Sequence, residues 1–178
     1  MEGMTVMGLF AHLFGPKEDE HAQVRALWHA VVARARDPRW YAQLGVADSL
    51  PGRFDAITIV LGLVLLRMEQ EETLRMRTAR LTELFVTDMD GQLRESGVGD
   101  VVMGKRMGKL MSVVGGRLSA WRDGLAASDP AVLADAVDRN VTLNEGASAA
   151  AVADEMRRLA AALAAVPEAQ LLAGEVPA

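Results

Sequence analysis

The composition of this chain of 178 residues excludes several classes of protein. It contains no cysteine, which rules out disulfides and cysteine-ligated metals, and only 4% of its residues are aromatic, which leaves few rings to stack on nucleic-acid bases. The formal net charge of −5 argues against a general nucleic-acid binder. Hydrophobic residues make up 51% and charged residues 24%, a balance typical of one globular domain with its own core.

The first segment, residues 1–17, has two interpretations. Met7, Phe10 and Phe14 share one helical face, which is typical of an interfacial or docking helix but also of a first helix packed on the domain. No positive stretch precedes the apolar residues, so the segment does not resemble a secretory signal. The most apolar stretch, residues 56–66, is shorter than the ~20 residues of a membrane span. We therefore expect a cytoplasmic protein, either free or peripheral at the inner membrane.

The next part of the chain is helical in pattern. An amphipathic helix is predicted over residues 18–36, and Asp37-Pro38 ends it. Residues 54–68 are hydrophobic all round and predict a central, buried helix. Residues 69–80 are charged and predict a solvated linker or a helix end, and another helix is predicted over residues 81–95.

The second half of the chain begins with the glycine-rich loop 96–100 and continues with the clearest helical periodicity, over residues 101–126. Its apolar residues recur every three or four positions, which predicts a stripe facing the core. The stripe comprises Met103, Met107, Leu110, Met111, Val114, Leu118, Trp121 and Leu125. Asp129-Pro130 predicts the start of another helix, and Ser148 is expected to cap a last, alanine-rich helix that Pro167 ends.

These elements predict an all-α fold, a single-domain irregular helical bundle of about six to eight helices. We divide the chain into an N-terminal segment (residues 1–17), a helical core (18–126) and alanine-rich C-terminal helices packed on that core (127–178).

Charge is distributed unevenly along the chain. Residues 94–122 contain six basic residues against Glu95 and Asp100, a balance of +4 on a protein whose net charge is −5. Lys105 and Lys109 share one face of the predicted helix, away from most of the apolar stripe. This face is either an ordinary solvated surface or a docking surface for an acidic partner, an anionic lipid or RNA phosphate.

Two motifs resemble phosphate chemistry, and their surroundings argue against both. Residues 84–91 resemble the first motif of haloacid-dehalogenase-type phosphatases, in which Asp88 would be the nucleophile at the tip of a strand, but no β/α alternation surrounds it. Residues 99–105 fit a phosphate-binding loop as far as its lysine, but Arg106 stands where a hydroxyl should reach magnesium. We expect no metal or other cofactor, and a phosphatase acting through Asp88 is the enzymatic alternative.

Two blocks of sequence point to a particular family. The first comprises Trp40-Tyr41-Ala42-Gln43-Leu44-Gly45-Val46-Ala47-Asp48 and Pro51-Gly52-Arg53-Phe54-Asp55. The second comprises Asp88-Met89-Asp90, Leu93-Arg94-Glu95-Ser96-Gly97-Val98-Gly99-Asp100 and Gly104-Lys105-Arg106-Met107. In this order the blocks resemble the ubiquinol–cytochrome c chaperone family, assembly factors for cytochrome b of the respiratory bc1 complex. The resemblance covers residues 20–125 and leaves the alanine-rich region after Ala126 outside.

The resemblance implies a binding protein without enzymatic activity. The family's mitochondrial members are similar to a binding module that engages newly made cytochrome b and works with a small partner protein near the ribosome's exit tunnel. The expected partners are therefore cytochrome b, a small partner protein and the ribosome. It implies no specific nucleic acid. Candidate residues for binding the client or organising its site are Arg53, Asp55, Asp88, Arg94, Glu95, Asp100, Lys105 and Lys109. Lys105 and Lys109 are expected to be exposed contacts, and the others to form one polar node in which Arg53 and Asp55 pair with the loop 94–100.

Three further questions stay open at the level of sequence. A peripheral membrane adaptor or scaffold, using the apolar face of the N-terminal segment, is the alternative non-enzymatic function. The ten methionines supply either core packing or the adaptable apolar surface of a promiscuous binder. The oligomeric state, a homo-oligomer included, is also undetermined.

Overall fold

A computed structural model of the chain describes residues 21–95 and 100–178, with side chains described outside residues 92–107. The described residues form a single compact, all-α domain, as the sequence predicts. In chain order the helices are α1 (Ala22–Ala35), α2 (Pro38–Ala42), α3 (Leu50–Met68), α4 (Glu72–Glu95), α5 (Asp100–Ala126), α6 (Pro130–Asn140), α7 (Ala149–Ala164) and α8 (Glu168–Leu172).

Short polar side chains cap the starts of several helices, and the sequence predicts two of these starts, at Asp129 and Ser148. The Asp37 carboxylate accepts a hydrogen bond from the Arg39 backbone N–H at 2.8 Å, and Asp129 accepts one from Ala131 N–H at 2.9 Å. Ser148 caps α7 in the same way through the N–H of Ala151. A side-chain oxygen at this position satisfies one of the backbone donors that the first turn of a helix leaves free.

Helix α3 is the central element, because its uncharged, wholly apolar middle can be buried on every side. All residues from Thr58 to Leu65 are buried, and the helix packs against α1, α4, α5 and α7. The three tryptophans, one each from α1, α2 and α5, lie in the same continuous core.

The C-terminal helices complete the bundle. Helix α6 packs on α5 and α7, and α7 also packs on α3. The α5–α6 approach is close at Gly124, where a Cβ would stand 2.9 Å from the Cα of Leu133. A larger side chain at Gly124 would therefore push the two helices apart.

A short backbone bridge ties the α2–α3 connection to the α6–α7 connection. Val46 and Leu143 form an isolated antiparallel bridge, and Ala47 N–H donates to Thr142 O at 2.9 Å. Gly45 enters this bridge with φ of +77°, a conformation that glycine adopts without the penalty of a Cβ.

The structure corrects three boundary predictions. Helix α3 begins at Leu50 rather than at residue 54, because Ser49 caps it and Pro51 fits its first turn. Of the two interpretations of residues 69–80, the structure agrees with a helix end and not with a linker throughout: α3 ends at Met68, α4 begins at Glu72, and most of the charged first half of α4 faces solvent. The five-residue helix α8 after Pro167 was not predicted, since so short a helix leaves little periodicity to detect.

The stripe predicted on α5 is confirmed where its side chains are described. Trp121 and Val114 are buried, and Leu110, Met111, Leu118 and Leu125 pack partly buried against the core. The side chains of Met103 and Met107 lie outside the described residues, as does the whole segment 1–17. Within the described ranges, no helix is long and apolar enough to cross a membrane.

Candidate functional site

Asp55 is a buried carboxylate at the junction of three parts of the fold. It lies in the second turn of α3 and is 3% exposed. One oxygen, Oδ1, pairs with Arg117 Nη2 of α5 at 2.7 Å. The other, Oδ2, accepts a hydrogen bond from the backbone N–H of Thr142, in the α6–α7 connection, at 2.8 Å. Both oxygens are therefore satisfied, which a buried carboxylate requires.

Arg117 is held as firmly as its partner. Its Nη1 donates to the Thr58 hydroxyl at 2.8 Å, and that hydroxyl donates to the Asp55 carbonyl oxygen at 2.9 Å. The guanidinium lies over the Phe54 ring, 5.3 Å from its centroid, a cation–π geometry. Because the positive charge is paired, stacked and mostly buried, Arg117 has a structural role and is not a free cation on the surface.

Aromatic rings continue this cluster towards α4 and α1. Phe54 lies 6.4 Å from Phe85, and Phe85 meets Trp28 edge to face at 6.0 Å. Trp28 Nε1 donates to Asp88 Oδ2 at 2.6 Å. The chain of contacts thus links Asp55 to Asp88 across four helices. We call it the α3 node, and it comprises Trp28, Phe54, Asp55, Thr58, Phe85, Asp88 and Arg117.

The structure brings together two of the eight residues selected from the sequence and places two others apart. Asp55 and Asp88 belong to the α3 node. Arg53 is exposed and pairs with Asp48 at 2.7 Å, a hydrogen bond that lowers the pKa of Asp48. Lys109 is exposed on α5. The side chains of Arg94, Glu95, Asp100 and Lys105 lie outside the described residues.

The described contacts of Arg53 and Asp55 are with other residues, and the loop 94–100, with which they were expected to pair, lies outside the residues whose side chains the structure describes. Both Asp55 oxygens are engaged by Arg117 and Thr142, and Arg53 turns to the neighbouring Asp48. These partners of Asp55 were not predicted, because Arg117 and Thr142 are 62 and 87 positions away from it, and nothing local indicates which distant donor a buried carboxylate will meet.

The basic face predicted on α5 is narrower than its charge balance indicates. Arg117 is mostly buried and pairs with Asp55, and Arg122 pairs at 2.8 Å with Glu69, which directly follows α3. Among the basic residues of α5 with described side chains, Lys109 is the one with no ion pair, and Ser112 beside it is also exposed.

A second ionic cluster surrounds Glu155 of α7. It was not predicted from the sequence. This buried carboxylate meets Arg34 at 2.7 Å, Arg39 at 3.0 Å and Arg158 at 2.5 Å. Burial raises the pKa of Glu155, but the hydrogen bond from Arg158 and the three positive charges outweigh it and hold that pKa below 4.5. Arg34 also pairs with Asp37 and lies over the Trp40 ring, so the cluster fastens α1 and α2 to α7.

Arg67, also missed, joins the end of α3 to the end of α7. Its Nε and Nη2 donate to the carbonyl oxygens of Leu163 and Val166 at 3.0 Å each, and Nη2 pairs with Glu71 at 2.5 Å. One signal was available in the sequence: a charged residue within a helix that is apolar all round must find partners in the interior, which applies to Arg67.

The geometry is incompatible with both phosphate motifs. Asp88 lies within α4 and accepts from an indole, so it is not a nucleophile at a strand tip. Residues 100–105 are helical, and a helix cannot wrap its N–H groups around a phosphate as a loop does. No group of three or more potential metal ligands occurs among the described residues.

The fold and the site define a class of protein. It is an all-α, single-domain protein organised around buried ion pairs rather than around an active site at the ends of β-strands. A comparison with protein-family models matches residues 42–178 to the ubiquinol–cytochrome c chaperone model. The chain belongs to the ubiquinol–cytochrome c chaperone family.

A solved structure resembles this fold over nearly the full length. The crystal structure of the Cbp3 homologue from Brucella abortus is similar with a TM-score of 0.78 and 30% sequence identity, covering 97% of this chain and 95% of that one. No curated protein sequence matches the chain. The family match extends to residue 178, which corrects the expectation that the alanine-rich region after Ala126 lies outside the family.

Proposed function

We propose that this protein is a non-enzymatic assembly chaperone of the ubiquinol–cytochrome c reductase complex and binds newly made cytochrome b. The observation that carries the proposal is the family match over residues 42–178, supported by the likeness to a Cbp3 homologue along nearly the whole chain. The charged groups of the site are paired in the interior, so they fix helix positions, and a contact surface for a client has to come from other residues.

In this proposal the α3 node sets the relative positions of helices, and α5 provides the contact surface. Lys109 contributes an exposed positive charge on α5, and Lys105, four positions earlier, lies on the same helical face. A long cationic side chain with no fixed partner suits an acidic segment of a client, because its charge is available without breaking an existing ion pair.

The methionines contribute less adhesive surface than their number indicates. Met68, Met89 and Met156 are buried in the core, whereas Met76 is 79% exposed. Within the described residues, methionine therefore serves mainly as core packing. The apolar part of a client surface would have to come from other side chains or from the undescribed segments.

The assembly role is tested by deleting the gene in its native host. We expect the bc1 complex to lose assembled cytochrome b, which is measured by the haem b absorbance of membranes and by native gels, while cytochrome b transcript stays unchanged. Normal levels of assembled complex in the deletion strain would overturn the proposal.

The contact role of α5 is tested by charge reversal. Lys109→Glu, alone and with Lys105→Glu, should reduce capture of cytochrome b in a pull-down, because each change replaces attraction to an acidic client with repulsion. Arg139→Glu is the matched control, since it makes the same charge change at an exposed site on α6. Equal capture by wild type and the double variant would contradict the contact, although not the assembly role.

A further inference from the structure

A half-open groove lies where the C-terminal ends of α3 and α5 meet the second half of α7. Its volume is about 340 Å³, within the range of small-molecule sites of about 300–1,000 Å³. The α3 residues that line it recur at helical spacing, so they form one stripe. The lining comprises Leu63, Leu66, Arg67 and Gln70 of α3 and its end, Leu125 of α5, and Arg157 and Ala160 of α7.

Arg67 provides a buried guanidinium with one nitrogen to spare. The side chain is 7% exposed, and its Nε and Nη2 make the contacts to Leu163, Val166 and Glu71 described above. Nη1 makes no hydrogen bond or ion pair with any described residue. The described nitrogens that are both buried and without a partner belong to Arg39, Arg117 and Trp121. Since Nη1 of Arg67 has no partner and is not among them, it is accessible to solvent. Arg67 lines the groove.

The other polar residues of the groove also have unused donors. Arg157 Nη2 donates to the Pro130 carbonyl at 3.1 Å, while its Nη1 is 3.6 Å from Asp154, beyond the length of a good hydrogen bond. The side-chain amide of Gln70 has no hydrogen-bond partner among the described residues. The lining contains no carboxylate.

We propose that this groove binds a ligand with an apolar body and a terminal carboxylate. Three leucines and an alanine would cover the apolar body, and the carboxylate would accept hydrogen bonds from Arg157 and from Nη1 of Arg67. A few polar groups beside a mainly apolar wall are the usual composition of a small-molecule site. Two sources supply this chemistry, a free fatty acid and the C-terminal residue of a peptide, and the proposal is independent of the chaperone role.

The proposal is tested by titrating the full-length ¹⁵N-labelled protein in NMR. The probes are octanoate for the fatty-acid source and acetyl-Leu-Leu with a free carboxylate for the peptide source, with octanol and acetyl-Leu-Leu-amide as their uncharged counterparts. We expect one of the acids to saturate and shift the side-chain amide of Gln70, and to bind about tenfold more tightly than its uncharged counterpart, the loss typical of one charge-assisted hydrogen bond. The acid that binds identifies the source.

Two pairs of variants locate the site. Ala160→Leu fills the groove and should abolish binding, whereas Ala161→Leu adds the same side chain at an exposed neighbouring position and should not. Arg157→Gln should weaken binding about tenfold, whereas Arg139→Gln should leave it unchanged. The proposal is overturned if neither acid binds, if octanol binds as tightly as octanoate and the amide as tightly as the acid, or if Ala160→Leu binds like wild type.

Discussion

Buried charges in this protein act in pairs, and their partners come from distant parts of the chain. Asp55 meets Arg117, and Glu155 meets three arginines, each pair joining helices that are far apart in sequence. Taking a single charge out of water costs several kcal/mol, and a well-placed opposite charge offsets that cost. Removing one partner therefore leaves the other as an uncompensated buried charge.

A substitution at Asp55 should show the cost of an unpaired buried charge. Asp55→Asn should lower the free energy of unfolding by about 3 kcal/mol, because it leaves the Arg117 guanidinium unpaired in the interior. Asp48→Asn is the control, since Asp48 also pairs with an arginine but is exposed, and it should change stability little. Urea unfolding monitored by circular dichroism measures both.

The pairing itself is isolated by a double-mutant cycle. Asp55→Asn combined with Arg117→Gln should cost less than the sum of the two single changes, because the second change removes the stranded charge. Additive effects would show that the two residues contribute independently, contrary to the geometry.

Glu155 makes the stability of the folded protein depend on pH in the acidic range. Its pKa in the folded state lies below the usual 4.5, so the folded state binds fewer protons than the unfolded state as the pH falls through this range. The stabilisation is fully present above about pH 4.5 and is lost progressively as the pH drops through the lowered pKa. Glu155→Gln should lower stability at neutral pH and flatten the decline towards acid, as measured by urea unfolding at a series of pH values.

Other carboxylates also contribute to the pH dependence of stability, which limits how flat the profile of Glu155→Gln becomes. Arginine hydrogen bonds also lower the pKa values of Asp48 and Glu83, so the Glu155→Gln profile should retain part of its slope. Asp154→Asn, at an exposed neighbouring position, should leave the profile unchanged. An identical slope in wild type and Glu155→Gln would contradict the assignment.

At the scale of elements, the α3–α5 contact depends on a glycine. A Cβ at Gly62 would stand 2.8 Å from Cδ1 of Trp121, whose ring is fully buried. The sequence shows an isolated glycine in an apolar helix, but only packing reveals that it makes room for an indole.

Two glycine-to-alanine substitutions, which are expected to change the free energy of unfolding in opposite directions, test this contact. Gly62→Ala should lower the free energy of unfolding by about 1–3 kcal/mol, because the ring cannot move away without displacing its neighbours. Gly116→Ala, on the open side of α5 where nothing lies within 4 Å of a Cβ, should raise it by about 1 kcal/mol through helix propensity. Thermal and urea unfolding of both variants provide the comparison, and stabilisation by Gly62→Ala would contradict the close approach.

At the scale of the whole molecule, α3 is the shared partner of helices from both ends of the chain. It contacts α1, α4, α5 and α7; the Glu155 cluster adds ion pairs between the two halves, and Arg67 adds hydrogen bonds to backbone carbonyls of the second half. No large part of the described structure can therefore lose its packing without exposing α3.

This arrangement predicts cooperative unfolding. Circular dichroism and the fluorescence of Trp28, Trp40 and Trp121, each studied in a variant that keeps one tryptophan, should give coincident urea transitions. A separate early transition for residues 127–178, detected by hydrogen exchange of α6 and α7, would show instead that the C-terminal helices form an independent unit.

The sequence by itself determined the fold class, the central position of α3 and the starts of α5, α6 and α7. These features depend on hydrophobic periodicity and on capping side chains such as Ser148 and Asp129, and each operates within a few residues. It also carried the family resemblance, through blocks that include Arg53 and Asp88. Helix ends next to charged segments were less predictable, because the first half of α4 is mostly charged and solvated, and its few buried apolar residues, such as Leu74, give little periodicity to detect.

Only the tertiary structure decided which charges meet. Asp55 could be selected from the sequence, but Arg117 entered only the +4 charge balance of residues 94–122, and Arg34, Arg67 and Glu155 were not selected at all. The physical reason is that a charged residue has the same local pattern whether its partner is solvent or a residue more than fifty positions away. Burial, which makes the pairing necessary, is a property of the packed bundle and not of any segment.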